Sequence, residues 1–142
     1  MIRPIALATL AAIGLSACQL SGGAGYATFR SETPVPVSMA SIAGTYDGQL
    51  PCADCSGLRT VLTLGADGRY RMEETYEGKR VKPFVTKGSY RLDAARGVVT
   101  LDRAADGRSV QVAGDRAYVL RPDGTRVTDG PFPDAYILSR TY

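Results

Sequence analysis

Two cysteines in the middle of the chain are the residues best suited to do chemistry. Cys52 and Cys55 occur in the order Cys-Ala-Asp-Cys. Two thiolates make half of a soft-metal site for Cu(I) or zinc, and two thiols at this spacing can also form a disulfide. Gly57 and a strand-like run follow, so the sequence offers no helix N-terminus to activate a thiolate as in thioredoxin-like motifs. We therefore predict a disulfide, a metal-binding dithiol, or an exchange between the two, rather than a redox catalyst.

The composition limits what else could complete a metal site. The chain contains no histidine, which excludes His-based catalytic triads and His-ligated zinc. Further ligands must come from Met72, from Met39, from a carboxylate such as Asp54, or from a second molecule. A closed zinc site needs four ligands, whereas two-coordinate Cu(I) needs only the two sulfurs. We expect no enzyme activity and, as cofactors, copper or zinc at most.

The first residues have the pattern of an export signal. Arg3 is followed by a mainly apolar run over residues 5–15, and Leu15-Ser16-Ala17-Cys18 has the form of a lipobox. The run is too short to span a bilayer, which takes about 20 apolar residues. We predict that residues 1–17 are a cleaved signal peptide, that Cys18 is lipidated, and that the protein is anchored to a membrane of the cell envelope.

The rest of the chain divides into a linker and one domain. Residues 18–41 are rich in Gly, Ser and Pro and are predicted to be a flexible linker, which leaves residues 42–142 as a single domain. The formal net charge of +3 is too small to indicate nucleic-acid binding. Export places Cys52 and Cys55 in an oxidising compartment.

Short alternating segments predict an all-β domain. Every second residue from Leu58 to Leu64 lies on one face, and the same holds from Tyr70 to Tyr76, with Asp67-Gly68 as a hairpin turn between the two runs. Turn residues separate further predicted strands at 88–92, 98–102, 109–112, 117–121, 125–128 and 136–140. This spacing favours a sandwich or a small antiparallel meander barrel.

The interior of such a barrel is either filled or hollow. The candidate cavity-lining residues are Tyr70, Met72, Glu74 and Tyr90. Glu74 is the exception on an apolar face, and an ion pair with Arg91 or Lys87 is its structural alternative. A hollow interior would support a different function, that of a small-ligand or protein-binding module of the lipocalin or inhibitor kind, in which the disulfide is purely structural.

One long stretch carries a family resemblance. It reads Gly44-x-Tyr46-x-Gly48-x-Leu50-Pro51-Cys52-Ala53-Asp54-Cys55-x-Gly57-Leu58-x-Thr60-x-Leu62-x-Leu64, then Asp67-Gly68-x-Tyr70. This pattern resembles the N-terminal domain of the NlpE lipoproteins, a family described as copper-resistance or copper-homeostasis lipoproteins. The resemblance covers roughly residues 42–140.

The resemblance implies several properties. The fold would be a lipocalin-like β-barrel, anchored to the outer membrane and facing the periplasm. The function would be copper tolerance and the signalling of envelope stress to a sensor kinase of the Cpx type. Cys52 and Cys55 would carry the metal-binding or redox role. Gln19, next to the lipidated cysteine, is not the aspartate that retains lipoproteins in the inner membrane of enteric bacteria.

Overall fold

The computed structural model describes residues 36–142. The predicted signal peptide, Cys18 and residues 18–35 of the predicted linker lie outside the described residues. The described part contains one short α-helix, α1 (Met39–Ile42), and two 3-10 helices, Arg103–Ala105 and Pro133–Tyr136. Its strands are β1 (Gly44–Leu50), β2 (Gly57–Leu64), β3 (Arg69–Glu77), β4 (Phe84–Asp93), β5 (Val98–Leu101), β6 (Ser109–Ala113), β7 (Arg116–Val119) and β8 (Ile137–Thr141).

The eight strands form a closed antiparallel barrel in chain order. Each strand pairs with the next, and β1 pairs with β8 to close the ring. The predicted all-β meander barrel is therefore confirmed. No helix in residues 36–142 is long and apolar enough to cross a membrane.

The hairpin of β2 and β3 shows how the sequence sets the register. Leu62 and Leu64 point into the core, as the alternation predicts. Gly68 has a φ of +80°, which favours glycine in the turn, and the Gly65 N–H donates to the Arg69 carbonyl at 2.8 Å. The turn pairs Leu64 with Tyr70, and every later pair follows, down to Gly57 opposite Glu77.

Helix α1 begins in the segment predicted to be a linker, and its last residue, Ile42, is the first residue of the predicted domain. Ser38 caps it reciprocally with Ser41, and Ile42 is almost completely buried. The Tyr46 hydroxyl donates to the Ile42 carbonyl at 2.8 Å, and the Arg140 guanidinium donates to the Tyr46 hydroxyl at 2.7 Å. Val37 also packs against the core, so the packed domain begins before the predicted boundary at Ile42.

Two predicted strands differ in the structure. The predicted strand at 125–128 is reduced to a single bridge between Leu120 and Arg126. Turn residues and prolines surround it, and Arg126 instead packs on the Tyr118 ring of β7 and donates to Gln111 Oε1 of β6 at 2.7 Å. The last strand begins at Ile137, because a 3-10 helix takes up Tyr136.

The barrel interior is filled by apolar side chains. The buried core consists of Ile42, Tyr46, Leu62, Leu64, Tyr70, Met72, Tyr90, Val99, Leu101, Ala105, Val110, Val112, Ala117 and Leu138. Two polar residues, Thr60 and Glu74, are buried with them. Packing of this kind stabilises the barrel through the apolar area it removes from water.

The two ends of the barrel carry different features. The loops after β1, β3, β5 and β7 lie at one end, which we call the cysteine end because Cys52 and Cys55 are in the first of them. Helix α1 and the turns after β2, β4 and β6 lie at the other, which we call the helix end. There, the Val37 N–H donates to the Ala94 carbonyl at 3.0 Å.

Candidate functional site

The two cysteines form a disulfide in the loop between β1 and β2. Their Cα atoms are 5.3 Å apart, within the range usual for disulfides. Both side chains are half-buried, and the residues between them are exposed. The sulfurs are therefore adjacent and can be reached from solvent, as the proposed chemistry requires.

Gln49 on β1 and Glu77 on β3 hold this loop from the two strands that flank β2. The Gln49 side-chain amide donates to Glu77 Oε2 at 2.6 Å and to the Ser56 carbonyl at 3.4 Å. The Ser56 N–H donates to the Glu77 carbonyl at 3.1 Å. A Cβ on Gly57 would come within 1.9 Å of Gln49 Nε2, so glycine leaves room for the amide to cross. The loop is thus fixed by contacts other than its disulfide.

Asp54, between the cysteines, is paired with a residue from the next loop along the rim. Lys79 Nζ lies 2.6 Å from Asp54 Oδ2. The hydrogen bond and the charge of Lys79 lower the pKa of Asp54. Asp54 Oδ1 lies 3.6 Å from Cys52 Sγ. A negative charge is therefore held beside the sulfur atoms at neutral pH.

The donor set of this loop fits a soft metal ion once the disulfide is reduced. The two sulfurs and a carboxylate oxygen of Asp54 lie within 4.8 Å of one another. In the disulfide neither sulfur is a thiolate, and the thiolate is the form that binds metal. After reduction, two thiolates suit Cu(I), and the carboxylate adds a ligand type that zinc accepts.

The two methionines considered as ligands lie elsewhere. Met72 is buried in the core, five residues along β3 from Glu77, a run of about 17 Å. Met39 is in α1, at the helix end. Of the additional ligands proposed from the sequence, the structure brings only Asp54 to the cysteines.

The candidate cavity-lining residues are mostly engaged within the barrel. The Arg108 guanidinium donates to both oxygens of Glu74, at 2.5 and 3.1 Å, so the partner of Glu74 is neither Arg91 nor Lys87. The Tyr90 hydroxyl donates to the Gly65 carbonyl at 2.5 Å. Met72 lines an internal cavity of about 20 Å³, which has room for about one water molecule.

Tyr70 makes the remaining interior contact. Its hydroxyl donates to Asp102 Oδ1 at 2.9 Å. Two causes raise the pKa of Tyr70 to about 12: burial is the larger, and the hydrogen bond to the Asp102 carboxylate is the second. Hydrogen bonds from the Ser89 N–H and from Tyr70 lower the pKa of Asp102. These groups serve the packing of the barrel and leave no large enclosed space beside them.

Sequence reasoning did not identify three residues that shape the site. It assigned no role to Lys79, Gln49 or Glu77. A signal was present, because counting pairs outward from the Asp67-Gly68 turn places Glu77 opposite Gly57. The contact of Lys79 with Asp54 depends on the path of a loop, which no pairing rule gives.

Comparison with known proteins gives consistent matches. The family model described as the NlpE N-terminal domain matches residues 46–129. Lipoprotein NlpE of Escherichia coli K12 is 34% identical over 85 residues, which are 58% of this chain and 36% of that protein. The chain thus matches about a third of the length of this curated relative.

Two solved structures resemble the barrel. A crystal structure of a Shewanella oneidensis chain assigned as a lipoprotein has a TM-score of 0.62 and 35% identity, and the match covers 69% of this chain and 87% of the other. The crystal structure of the Cpx pathway activator NlpE from Escherichia coli has a TM-score of 0.54 and 29% identity, over 63% of this chain and 47% of the other.

Proposed function

The chain belongs to the NlpE N-terminal domain family, and from this premise we propose that it is a cell-envelope lipoprotein whose Cys52–Cys55 loop alternates between a disulfide and a metal-binding dithiol. The observation that carries the proposal is the grouping of both sulfurs and the Asp54 carboxylate within 4.8 Å on an accessible loop. The disulfide is the resting state, and only the dithiol binds a soft metal ion.

The exchange between the two states is a two-electron step. A dithiol donor attacks one sulfur of the disulfide, a mixed disulfide forms, and the donor's second thiol releases the protein as a dithiol. The donor is oxidised to a disulfide, and its two protons end on Cys52 and Cys55. Binding of Cu(I) then displaces these protons, because the thiolates are the ligands. Gln49 and Glu77 keep the loop in place throughout, since their contacts do not involve sulfur.

The lipobox ending at Cys18 supports the location that we propose. The relatives are described as lipoproteins, which fits a protein held in the cell envelope by acyl chains on Cys18. More than one chain makes such anchoring stable. We place the anchor in the outer membrane, with the domain facing the periplasm.

The signalling role is the finer part of the proposal. The Escherichia coli structure is that of a Cpx pathway activator. We propose that this chain likewise takes part in copper homeostasis and the envelope stress response, with a Cpx-type sensor kinase as its partner. Loss or gain of metal at the loop would be the signal.

The filled interior argues against the alternative of a small-ligand carrier. The internal cavity of about 20 Å³ is far below the several hundred Å³ of a ligand pocket. A larger depression, of about 560 Å³, lies outside the barrel, where Pro51 meets the segment between β7 and β8. It is open and is not the enclosed site that a lipocalin-like carrier would use.

A titration tests the proposal. The reduced protein is titrated with Cu(I) in the presence of a competing chelator, alongside the oxidised protein and the Cys52→Ser/Cys55→Ser variant. We expect tight binding only in the reduced wild type, because only that form offers two thiolates. Equal affinity in all three would overturn the proposal. Thiol trapping in cells, with and without added copper, reports which state is present.

A further inference from the structure

The first half of β4 has a neighbouring strand on one side only. Its pairing with β3 runs from Phe84 opposite Glu74 to Ser89 opposite Arg69. On its other side, pairing with β5 begins only at Tyr90. Residues 84–87, which we call the β4 edge, therefore form a stretch of open sheet at the cysteine end of the closed barrel.

Two residues of the β4 edge direct their backbone N–H and C=O groups away from β3. The Ser89 N–H donates to Asp102 Oδ2 at 2.8 Å, and the Ser89 carbonyl accepts from the Asp102 N–H at 3.1 Å. The backbone N–H and C=O groups of Ser89 therefore point away from β3. Successive residues of a strand alternate in this respect, so Val85 and Lys87 also direct their N–H and C=O groups away from β3. Among the described residues, none supplies these groups with a partner.

The side chains around the β4 edge are apolar and cationic. Phe84 is 57% exposed, and Val81 and Val85 are 48% exposed. Residues 78–87 contain four cations and no acidic residue. Of these four cations, only Lys79 has an ion-pair partner in the described structure. The side chains of Arg80, Lys82 and Lys87 form no ion pair there.

We propose that the β4 edge binds an extended, acidic segment of a partner protein by strand addition. The outward N–H and C=O groups would bond to the added strand, and the cations would select acidic side chains on it. The partner's apolar side chains would cover Phe84 on one face, and its acidic side chains would meet Lys87 on the other, because successive strand residues point to opposite faces. The occupant is thus defined by chemistry, as a segment in which acidic and apolar residues alternate.

Two other occupants fit these features less well. A second copy of the chain would place the cations of one edge against those of the other, which is unfavourable. A lipid surface would attract the cations but would leave the outward N–H and C=O groups without partners, at a cost for each group. A peptide strand satisfies both the charges and the backbone.

The test uses the protein extracted in a non-ionic detergent and a labelled eight-residue peptide of alternating Val and Glu. We expect fluorescence anisotropy to report binding that weakens with salt. Hydrogen exchange should slow at the Val85 and Lys87 amides when the peptide is added. Val85→Pro removes one outward N–H without breaking a bond to β3, and we expect it to weaken binding by about tenfold or more.

Matched variants distinguish strand addition from nonspecific binding of the peptide. Val85→Thr keeps the N–H and should bind the peptide nearly as well as the wild type. Lys82→Glu/Lys87→Glu should abolish binding while leaving the barrel folded by circular dichroism. Equal binding by Val85→Pro and Val85→Thr would overturn strand addition.

Other results would also count against the inference. Binding to phosphatidylglycerol vesicles, but not to the peptide, would assign the cations to a membrane. Self-association in sedimentation that Val85→Pro abolishes would assign the edge to a second copy. No binding at all would mean that the lysines only guard the edge against unwanted pairing. None of these results bears on Cu(I) binding by the cysteines.

Discussion

Lys79 Nζ lies 2.6 Å from Asp54 Oδ2 and ties the loop between β3 and β4 to the residues between the two cysteines. The contact joins two loops that are separate in sequence but adjacent on the rim of the barrel. It also means that a metal using the Asp54 carboxylate has to compete with an ammonium group. We therefore expect the choice of metal at this proposed site to depend on a residue outside the Cys-x-x-Cys motif.

Replacing this lysine should change zinc binding more than copper binding. In the reduced protein, we expect Lys79→Met to strengthen zinc binding by about threefold, because the carboxylate becomes free to act as a ligand. Binding of Cu(I) should stay nearly constant, because Cu(I) prefers the two sulfurs. Competition with a chromophoric chelator measures both affinities.

Arg80→Met is the matched control for that experiment, because it removes a cation from the same loop without touching Asp54. It should leave both metal affinities close to those of the wild type. An equal rise in zinc affinity in the two variants would show that only the general charge of the loop matters.

The disulfide should contribute little to the stability of the barrel. The chain-entropy relation gives about 2 kcal/mol for a closed loop of four residues, and Gln49 and Glu77 already hold the loop. We expect Cys52→Ser/Cys55→Ser to lower the free energy of unfolding by about 2 kcal/mol or less. Urea unfolding of the oxidised, reduced and variant proteins measures this. Failure of the variant to fold would contradict the role of the loop as a switch.

Removing the partner of Glu74 should have a larger effect. Arg108→Met leaves the carboxylate in the core without its two hydrogen bonds, and we expect a loss of about 2 kcal/mol in unfolding free energy. The effect is below that of a fully buried pair because the Arg108 side chain is 38% exposed. Chemical denaturation measures the change.

Two further variants test whether the unpaired Glu74 carboxylate causes the loss of stability in Arg108→Met. Arg103→Met removes an exposed arginine nearby and should stay within about 0.5 kcal/mol of the wild type. Glu74→Leu/Arg108→Met replaces the pair by apolar groups and should recover most of the loss. A double variant no more stable than Arg108→Met would argue against an unpaired carboxylate as the cause.

The bond between Tyr70 and Asp102 predicts a dependence on alkaline pH. The pKa of Tyr70 is raised in the folded state to about 12, from about 10 in an unfolded chain. Its contribution to stability is therefore complete below about pH 10 and is lost as the pH rises through about 12.

Comparison with Tyr70→Phe isolates this contribution. We expect the wild type to exceed Tyr70→Phe in its urea midpoint at pH 8, and the difference to shrink at about pH 11.5. Both proteins carry Cys52→Ser/Cys55→Ser, so that disulfide exchange at high pH does not interfere. The same difference at both pH values would contradict the assigned titration.

The fold could be predicted from the sequence because its signals are local. The alternation through Leu62 and Leu64 and the Asp67-Gly68 turn define a hairpin, and repeated hairpins make a meander. The strand predicted at 125–128 was wrong because the turn residues Asp123-Gly124, followed by β-branched residues, resemble a hairpin. Ser38 and the first three residues of α1 were assigned to the linker because a four-residue helix is too short to show a period.

The site could be predicted only in part. The cysteines and Asp54 are adjacent in sequence, and their grouping follows directly. The partners of Asp54 and Glu74 are not local, since Lys79 and Arg108 reach them from other loops. A sequence pattern identifies Glu74 as an exception on an apolar face, but a contact across the barrel decides which arginine neutralises it.

The placement of α1 and the cysteines at opposite ends has a consequence for a protein anchored through its N-terminal side. Strand β1 leads from one end to the other, and its seven residues span about 23 Å. The barrel would then act as a rigid spacer. It would raise the reactive sulfurs above the point where the tether attaches, toward soluble redox carriers and metal ions arriving from the periplasmic side.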